Sequence, residues 1–400
     1  MMMNKIIHIY GRDYNSYFPK IESDYYFYAG WASNVAGNVL TYSKQFKMEL
    51  WRPETEISKP VSRIVKDVNC RLFPAKTYPL LGIWSFGIIK ALKSEIMNNQ
   101  IIIHLHMGHD IQAYIYILLF RKTPKVIVNC GSYPPVFSFR KTKNIKFLLL
   151  HLLFKIALKW YDFHIISGIN DRLYMISMIG ENKVSDFTGI GIDFSKIKPI
   201  GKTEARKILN IPSETKVLVY VGQLYKTKGV NNIISVFTRL KEKFEVTLIL
   251  IGASKEDPFY NMAKEAGATI LPRLNRDTEL PVYYSAADVY LMANFEDSIE
   301  LDFAGIGISP LECMGCNTPV VSPTLKHFPF DDLQHVGKSP ENMADFELNI
   351  IEVLENPDRY KNCRDYALKY FGVEVIAKKT IAVYDKLLNN QLKYSGDKIA

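Results

Sequence analysis

The apolar positions of this chain fall into short unbroken runs separated by stretches of helical spacing. In the first half, Ile6–Tyr10, Ile101–Leu105, Val126–Val128 and Phe163–Ile166 are such runs. Apolar runs of this length without alternation read as parallel strands covered on both faces. Between them, helical patterns lie near Val35–Lys47, Trp84–Met97, Ile111–Phe120 and Ile145–Trp160. The second half repeats the rhythm. Val217–Gly222 and Val246–Gly252 are strands ending in glycine, followed by strands at Thr269–Leu271 and Val289–Met292. Helices are expected at Asn231–Lys243, Tyr260–Ala266 and Leu280–Ala286. This alternation predicts an α/β chain of βαβ units in doubly wound sheets. The polar join Phe194–Thr203, with its Pro and Gly, divides it into domains 1–197 and 198–372. Ligands of such sheets sit beyond the carboxyl ends of the strands.

Composition adds a charge asymmetry. The 400 residues carry +9 overall, but residues 1–200 hold 26 Lys+Arg against 14 Asp+Glu, or +12, and residues 201–400 hold 24 against 27, or −3. The basic half implies an anionic partner, such as a membrane surface, nucleic acid or acidic substrate. Five scattered cysteines point to reduced thiols and a cytosolic compartment. No stretch of 18 apolar residues marks a membrane span. The nearest, Phe147–Trp160, is interrupted by His151, Lys155 and Lys159 at i, i+4 and i+8, a single polar stripe.

Candidate chemistry gathers in four places. The segment Gly305–Val321, GIGISPLECMGCNTPVV, sets glycines before a helix start. Ser309 suits the N-cap, Pro310 the first helical position, and Glu312 completes a Ser-x-x-Glu capping box. Such a start offers free N–H groups and a positive dipole end to an anion. Lys228 follows a strand end in KTKG, where an ammonium can stabilise a leaving diphosphate. His104, His106 and His109 lie in HLHMGH; His-x-His also occurs as a metal pair, but no supporting carboxylate cluster is evident. Cys313 and Cys316 have no second pair for zinc, and read as packing residues.

VGQLYKTKGV at Val221–Val230, LPVYYSAADVYL at Leu280–Leu291 and the Gly305–Val321 segment together resemble the nucleotide-sugar domain of group 1 (family 4) glycosyltransferases. Weaker echoes are the glycine-containing loop Gly30–Asn38, the stretch Ile103–Asp110 and GIGIDFSKIKP at Gly189–Pro199. The resemblance implies the GT-B fold, two Rossmann-like domains facing across a cleft. It implies an N-terminal acceptor domain, a C-terminal donor domain, and a last helix, about 373–400, crossing back to the first. It implies a retaining transfer of sugar from a nucleoside diphosphate sugar to a glycan or lipid-linked acceptor, in surface polysaccharide synthesis. His109, Lys228 and Glu312 correspond to its catalytic positions, with His109 approaching the donor sugar and Glu312 the ribose hydroxyls. Gly222, Gln223, Ile306, Gly307, Ile308 and Ser309 correspond to donor-binding positions, and Gly30 and Gly37 to an acceptor or phosphate loop. The family needs no metal or other cofactor, and no nucleic acid partner is expected.

Two departures change the picture. The family's first glutamate is Ala304 here, and its usual arginine is Gln223. The acidic run before Ala304, with Glu296, Asp297, Glu300 and Asp302, is expected to supply a replacement. The alternatives are an epimerase or hydrolase on the same fold, or a non-catalytic binding subunit. Finally, Arg140, Lys141, Lys143 and Lys146 precede an apolar helix ending in Trp160 and Tyr161. This suits a cytoplasmic protein lying on the inner membrane face. The polar stripe of that helix is expected to face water.

Overall fold

A computed structural model describes residues 4–11, 23–28, 30–79, 81–129, 134–166, 168–185, 191–295, 307–327 and 333–396. The chain forms two compact units, residues 1–191 with 374–400, and residues 192–373.

Among the described residues, the first unit holds a seven-stranded sheet built from β1 (Asn4–Tyr10), β2 (Lys47–Glu54), β3 (Val61–Val65), β4 (Val68–Pro74), β7 (Gln100–His106), β8 (Lys125–Val128) and β9 (Phe163–Ile165). A separate two-stranded hairpin is β5 (Lys76–Tyr78) with β6 (Gly82–Trp84). The sheet order is β3, β4, β2, β1, β7, β8, β9, parallel except where β3 meets β4. Omitting the edge strand β3, this is the doubly wound order 3-2-1-4-5-6. β1 pairs with β7 from Asn4–Gln100 to Tyr10–His106.

β2, β4 and the hairpin lie outside the expected strands. Their sequences mix charge with apolar residues, because charges are buried here in pairs. Lys5 Nζ lies 3.0 Å from Glu49 and 2.5 Å from Glu95, and Trp51 Nε1 donates to Glu49 at 2.7 Å. Glu54 accepts from the Tyr26 hydroxyl, and Arg52 donates to the Tyr26 carbonyl at 3.0 Å. The expected helix Val35–Lys47 runs from Gly30 to Tyr42, and Lys47 begins β2.

The second unit holds a wholly parallel sheet. Its strands are β10 (Lys216–Val221), β11 (Val246–Ile251), β12 (Thr269–Leu271), β13 (Val289–Leu291), β14 (Val320–Val321) and β15 (Gly337–Lys338). The order β12, β11, β10, β13, β14, β15 is again 3-2-1-4-5-6. The division from the first unit falls at Ile192, ahead of the polar join. Phe194 and Ile197 are buried, and Arg364 donates to the carbonyls of Phe194 at 2.9 Å and Ile197 at 3.1 Å. A Cβ on Gly315 would strike the Phe194 ring, so glycine there admits it.

The last helix, Val373–Gly396, starts beside Ile192, whose carbonyl accepts from the Val373 N–H at 3.0 Å. Its Val383, Tyr384, Leu387 and Leu388 then enter the core of the first unit with Ile6, Met48 and Ile102.

Candidate functional site

In the second unit the strand order reverses between β10 and β13, so their carboxyl ends open the crevice where such sheets bind ligands. β10 ends at Val221, and Gly222 turns the chain with φ +151°. Its N–H donates to Ile251 O at 2.8 Å. Leu224 and Ser254 both donate their backbone N–H to Asp257 Oδ2, at 3.0 and 3.1 Å, which ties this loop to the one after β11. A 3-10 turn, Lys226–Lys228, follows, and Gly229 at φ +70° leads into helix Val230–Leu240. A Cβ on Gly229 would fall on the Ala293 carbonyl. Only glycine lets this turn close against the end of β13. Asn232 Nδ2 adds a hydrogen bond to Ala293 O at 2.8 Å. Gln223 and Lys228 are exposed on this fixed loop.

The helix Ile308–Gly315 is capped by Gly307 and has no side-chain cap. Ser309 is therefore not the N-cap, and Pro310 lies in the third helical position. This leaves the backbone N–H groups of Gly307, Ile308 and Ser309 without intrahelical partners, beside the positive end of the helix dipole. Ile306, Glu296, Asp297, Glu300, Asp302 and Ala304 lie outside the described residues.

Glu312 is buried and does not reach back to the helix start. One carboxylate oxygen pairs with Arg276 Nε, and the other accepts from the Tyr284 hydroxyl at 3.1 Å. Burial raises its pKa, and Arg276 and Tyr284 act against that rise. Arg276 was not legible as a partner. It sits in a loop where Asn275 Oδ1 accepts from the N–H groups of Asp277 and Thr278, at 2.9 and 3.1 Å. The Asn-Arg-Asp-Thr run was the only available signal. A carboxylate has about four acceptor positions, so two contacts leave room for hydroxyl donors.

A cavity of 430 Å³, lined in part by Lys202, Asp288, Pro319 and Arg364, opens at the amino ends of β13 and β14. It lies away from the carboxyl-end crevice.

In the first unit the predicted residues lie within a helix or are buried. Gly30 starts, and Gly37 lies inside, helix Gly30–Tyr42, so neither forms a loop. A Cβ on Gly37 would collide with the Tyr28 hydroxyl. The His109 side chain is wholly buried. Its Nε2 donates to Asp171 at 3.4 Å, and His164 Nε2 donates to the other Asp171 oxygen at 3.1 Å. These imidazoles hold the Asp171 carboxyl well below the usual range despite its burial. An ionised carboxylate only accepts, so both Nε2 atoms carry protons. Burial lowers the His109 pKa, and Asp171 acts against that fall. Its carbonyl accepts from the Tyr114 hydroxyl at 3.0 Å.

His8, His104 and His106 form a second buried group. His8 Nδ1 and His106 Nε2 share a hydrogen bond of 2.8 Å, and His104 Nδ1 shares one of 2.6 Å with Tyr384. By ligand count, either group could hold a divalent cation. The His104 and His106 rings, however, stack 4.3 Å apart at 8°. Stacked rings do not aim their in-plane lone pairs at one point, as coordination requires. Cys70, Cys313, Cys316 and Cys363 are buried free thiols.

The family model for glycosyl transferases, group 1, matches residues 201–370. A D-inositol 3-phosphate glycosyltransferase of Corynebacterium aurimucosum is 29% identical over 136 residues, 31% of each chain. The chain thus spans about a third of that relative's length. Among solved structures, sucrose-phosphate synthase of Thermosynechococcus elongatus aligns with TM-score 0.68 at 16% identity, over 97% of this chain and all of that one. Anabaena HepE in complex with UDP aligns with TM-score 0.64 at 14% identity, over 96% and 100%. The chain therefore has the GT-B fold of these glycosyltransferase structures, and its residues 201–370 match the model of the glycosyl transferases group 1 family.

Proposed function

We propose that this chain is a retaining glycosyltransferase that moves a hexose from a nucleoside diphosphate sugar to a glycan or lipid-linked acceptor in surface polysaccharide synthesis. One observation carries the reading. The exposed Lys228 and the N–H groups of Gly307–Ser309, which have no intrahelical partner, belong to the carboxyl edge of one sheet, in the unit that also buries Glu312. A diphosphate gains negative charge as its glycosidic bond breaks, and a preorganised ammonium and helix N-terminus stabilise it. The Lys228 ammonium takes the place of a metal ion in this role, and no cofactor is needed. Glu312, oriented by Arg276 and Tyr284, accepts from the ribose hydroxyls. Acceptor attack on the donor's leaving-group face, with the departing phosphate drawing the proton, gives retention. The protein then contributes position and charge. His109 is committed to Asp171 inside the first unit, so donor chemistry is assigned to second-unit residues.

UDP is the first nucleotide to test, since the HepE structure holds UDP and an Escherichia coli neighbour holds UDP-2-fluoro glucose. Calorimetric titration with UDP-, GDP- and dTDP-sugars should give one preferred base. Lys228→Ala and Glu312→Ala should weaken that binding, and the product of the intact chain should keep the anomeric configuration of the donor. Absence of binding to all three sugars, or an inverted product, would overturn the proposal.

A further inference from the structure

The helix Ile145–Ala157 is apolar on two opposite sides. Its inner side is occupied: Phe154 and Ala157 are fully buried, with the Phe154 ring 5.3 Å from Tyr114 and 5.4 Å from His109. On its outer side Ile145, Leu149, Leu152 and Ile156 are 62, 60, 51 and 52% exposed. These positions recur at i, i+4, i+7 and i+11, so they form one stripe about three turns long. A single exposed leucine needs no explanation, whereas four large apolar side chains in one row do.

The charge around the stripe identifies its occupant. On a helical projection Lys146 borders it on one side and Lys155 and Lys159 on the other, all exposed. Arg140, Lys141 and Lys143, also exposed, close its amino end, on and just after the helix Pro135–Thr142. Beyond the carboxyl end, the Arg121 guanidinium lies 5.1 Å from the Trp160 ring centre. The chain has no aspartate or glutamate between Asp110 and Asp162. We propose that this face docks the protein on an anionic lipid bilayer. The Ile145–Ile156 stripe enters the headgroup boundary, and the flanking cations meet lipid phosphates. An apolar row with cations on both sides is the pattern of a helix lying in the plane of the interface.

The test is co-sedimentation of the full chain with vesicles of phosphatidylcholine alone, or of phosphatidylcholine mixed with phosphatidylglycerol. The chain should pellet with the mixed vesicles and stay in solution with the neutral ones, and salt should release it. Arg140→Gln, Lys143→Gln and Lys146→Gln should each weaken partitioning about fivefold. A triple Leu149→Ser, Leu152→Ser, Ile156→Ser variant should lose about tenfold or more and keep its melting temperature, since these side chains are exposed. UDP-sugar binding measured in parallel should be unchanged in all variants, so that failure of this proposal and failure of the donor reading are distinguishable. Recovery in solution with both vesicle types would overturn the proposal. So would undiminished binding of the serine variant. Self-association of the wild type that the serine variant abolishes, without vesicle binding, would show that the face pairs two copies instead.

Discussion

The two units share one strand order and differ in what their sheets bury. In the second unit, the buried positions of β10, β11 and β13 are Val, Leu, Ile and Tyr. In the first, the strands bury Lys5, His8, Glu49, Arg52, Glu54, His104, His106, Lys125 and His164. Each charge there has a partner; Lys125 Nζ, for example, reaches Thr123 O at 2.6 Å and Asp162 at 2.8 Å. The same winding is thus held by apolar packing in one unit and, in the other, by apolar packing joined to buried polar pairs. Networks of this kind cost little when complete and much when broken. The second unit keeps its polar groups for the loops at the strand ends, where ligands bind.

The comparison is broken most severely at Asp171. Asp171→Asn should destabilise the first unit by about 3 kcal/mol, because one buried imidazole N–H then faces an amide NH₂. Denaturant melts read by hydrogen exchange should show the loss confined to that unit. A comparable loss in the second unit would mean that the two do not melt separately. Next in size is the opposite outcome in the second unit. Lys228→Ala and Glu312→Ala should each lower the transfer rate roughly 10²-fold with near-normal stability. Unfolding of either variant would place these residues in the structural class of Asp171.

A pH titration sharpens the contrast. Burial pushes the His8 pKa down to about 3 and those of His104, His106 and His109 below the usual value near 6.5. Below that value the unfolded chain takes up protons that the folded one refuses. Stability of the first unit therefore falls as pH falls below about 6.5, by up to about 1.4 kcal/mol per pH unit for each such histidine. Glu312 has the opposite sign. Its raised pKa makes the ionised form the costly one, so its effect on the second unit eases as pH drops through that pKa. Exchange protection measured at pH 7.5 and 5.5 should fall in the first unit and hold in the second. The smallest effect tests the support of Glu312. Tyr284→Phe should cost about 1 kcal/mol in a denaturant melt, the value of its hydroxyl's hydrogen bond to Glu312. In a double-mutant cycle with Glu312→Gln the two costs should be non-additive. Strict additivity would mean that this bond contributes nothing to the fold.

This difference in chemistry also decided what could be read without coordinates. β10, β11 and β13 were legible because nothing charged interrupts them, and Gly222 and Gly229 punctuate them. β2 and β4 were hidden, because Lys47, Glu49, Arg52 and Glu54 give β2 the composition of a solvated segment, and only the fold supplies Lys5 and Tyr26 as their partners. Lys228 could be placed from local spacing. The second contact of Glu312, with Tyr284, and its pairing with Arg276 span 28 and 36 residues, which no local pattern encodes. Ser309 misled for a related reason. Its spacing to Glu312 fits a capping box, but the helix begins two residues earlier than that box requires, and Glu312 has its partners elsewhere.

The placement of Tyr384 has a consequence for how the chain is made. Its ring fills the same core as Ile6 and Ile102, and its hydroxyl bonds His104. A nascent chain emerging from the ribosome cannot complete the first unit when residue 191 appears, because a piece of that core lies about 200 residues downstream. At 5–20 residues per second, translation leaves this sheet incomplete for about 10–40 s. The second unit, whose residues are contiguous from 192 to 373, can finish during that interval. The usual order of vectorial folding is thereby reversed, and the basic first half is the part whose core waits for the last helix.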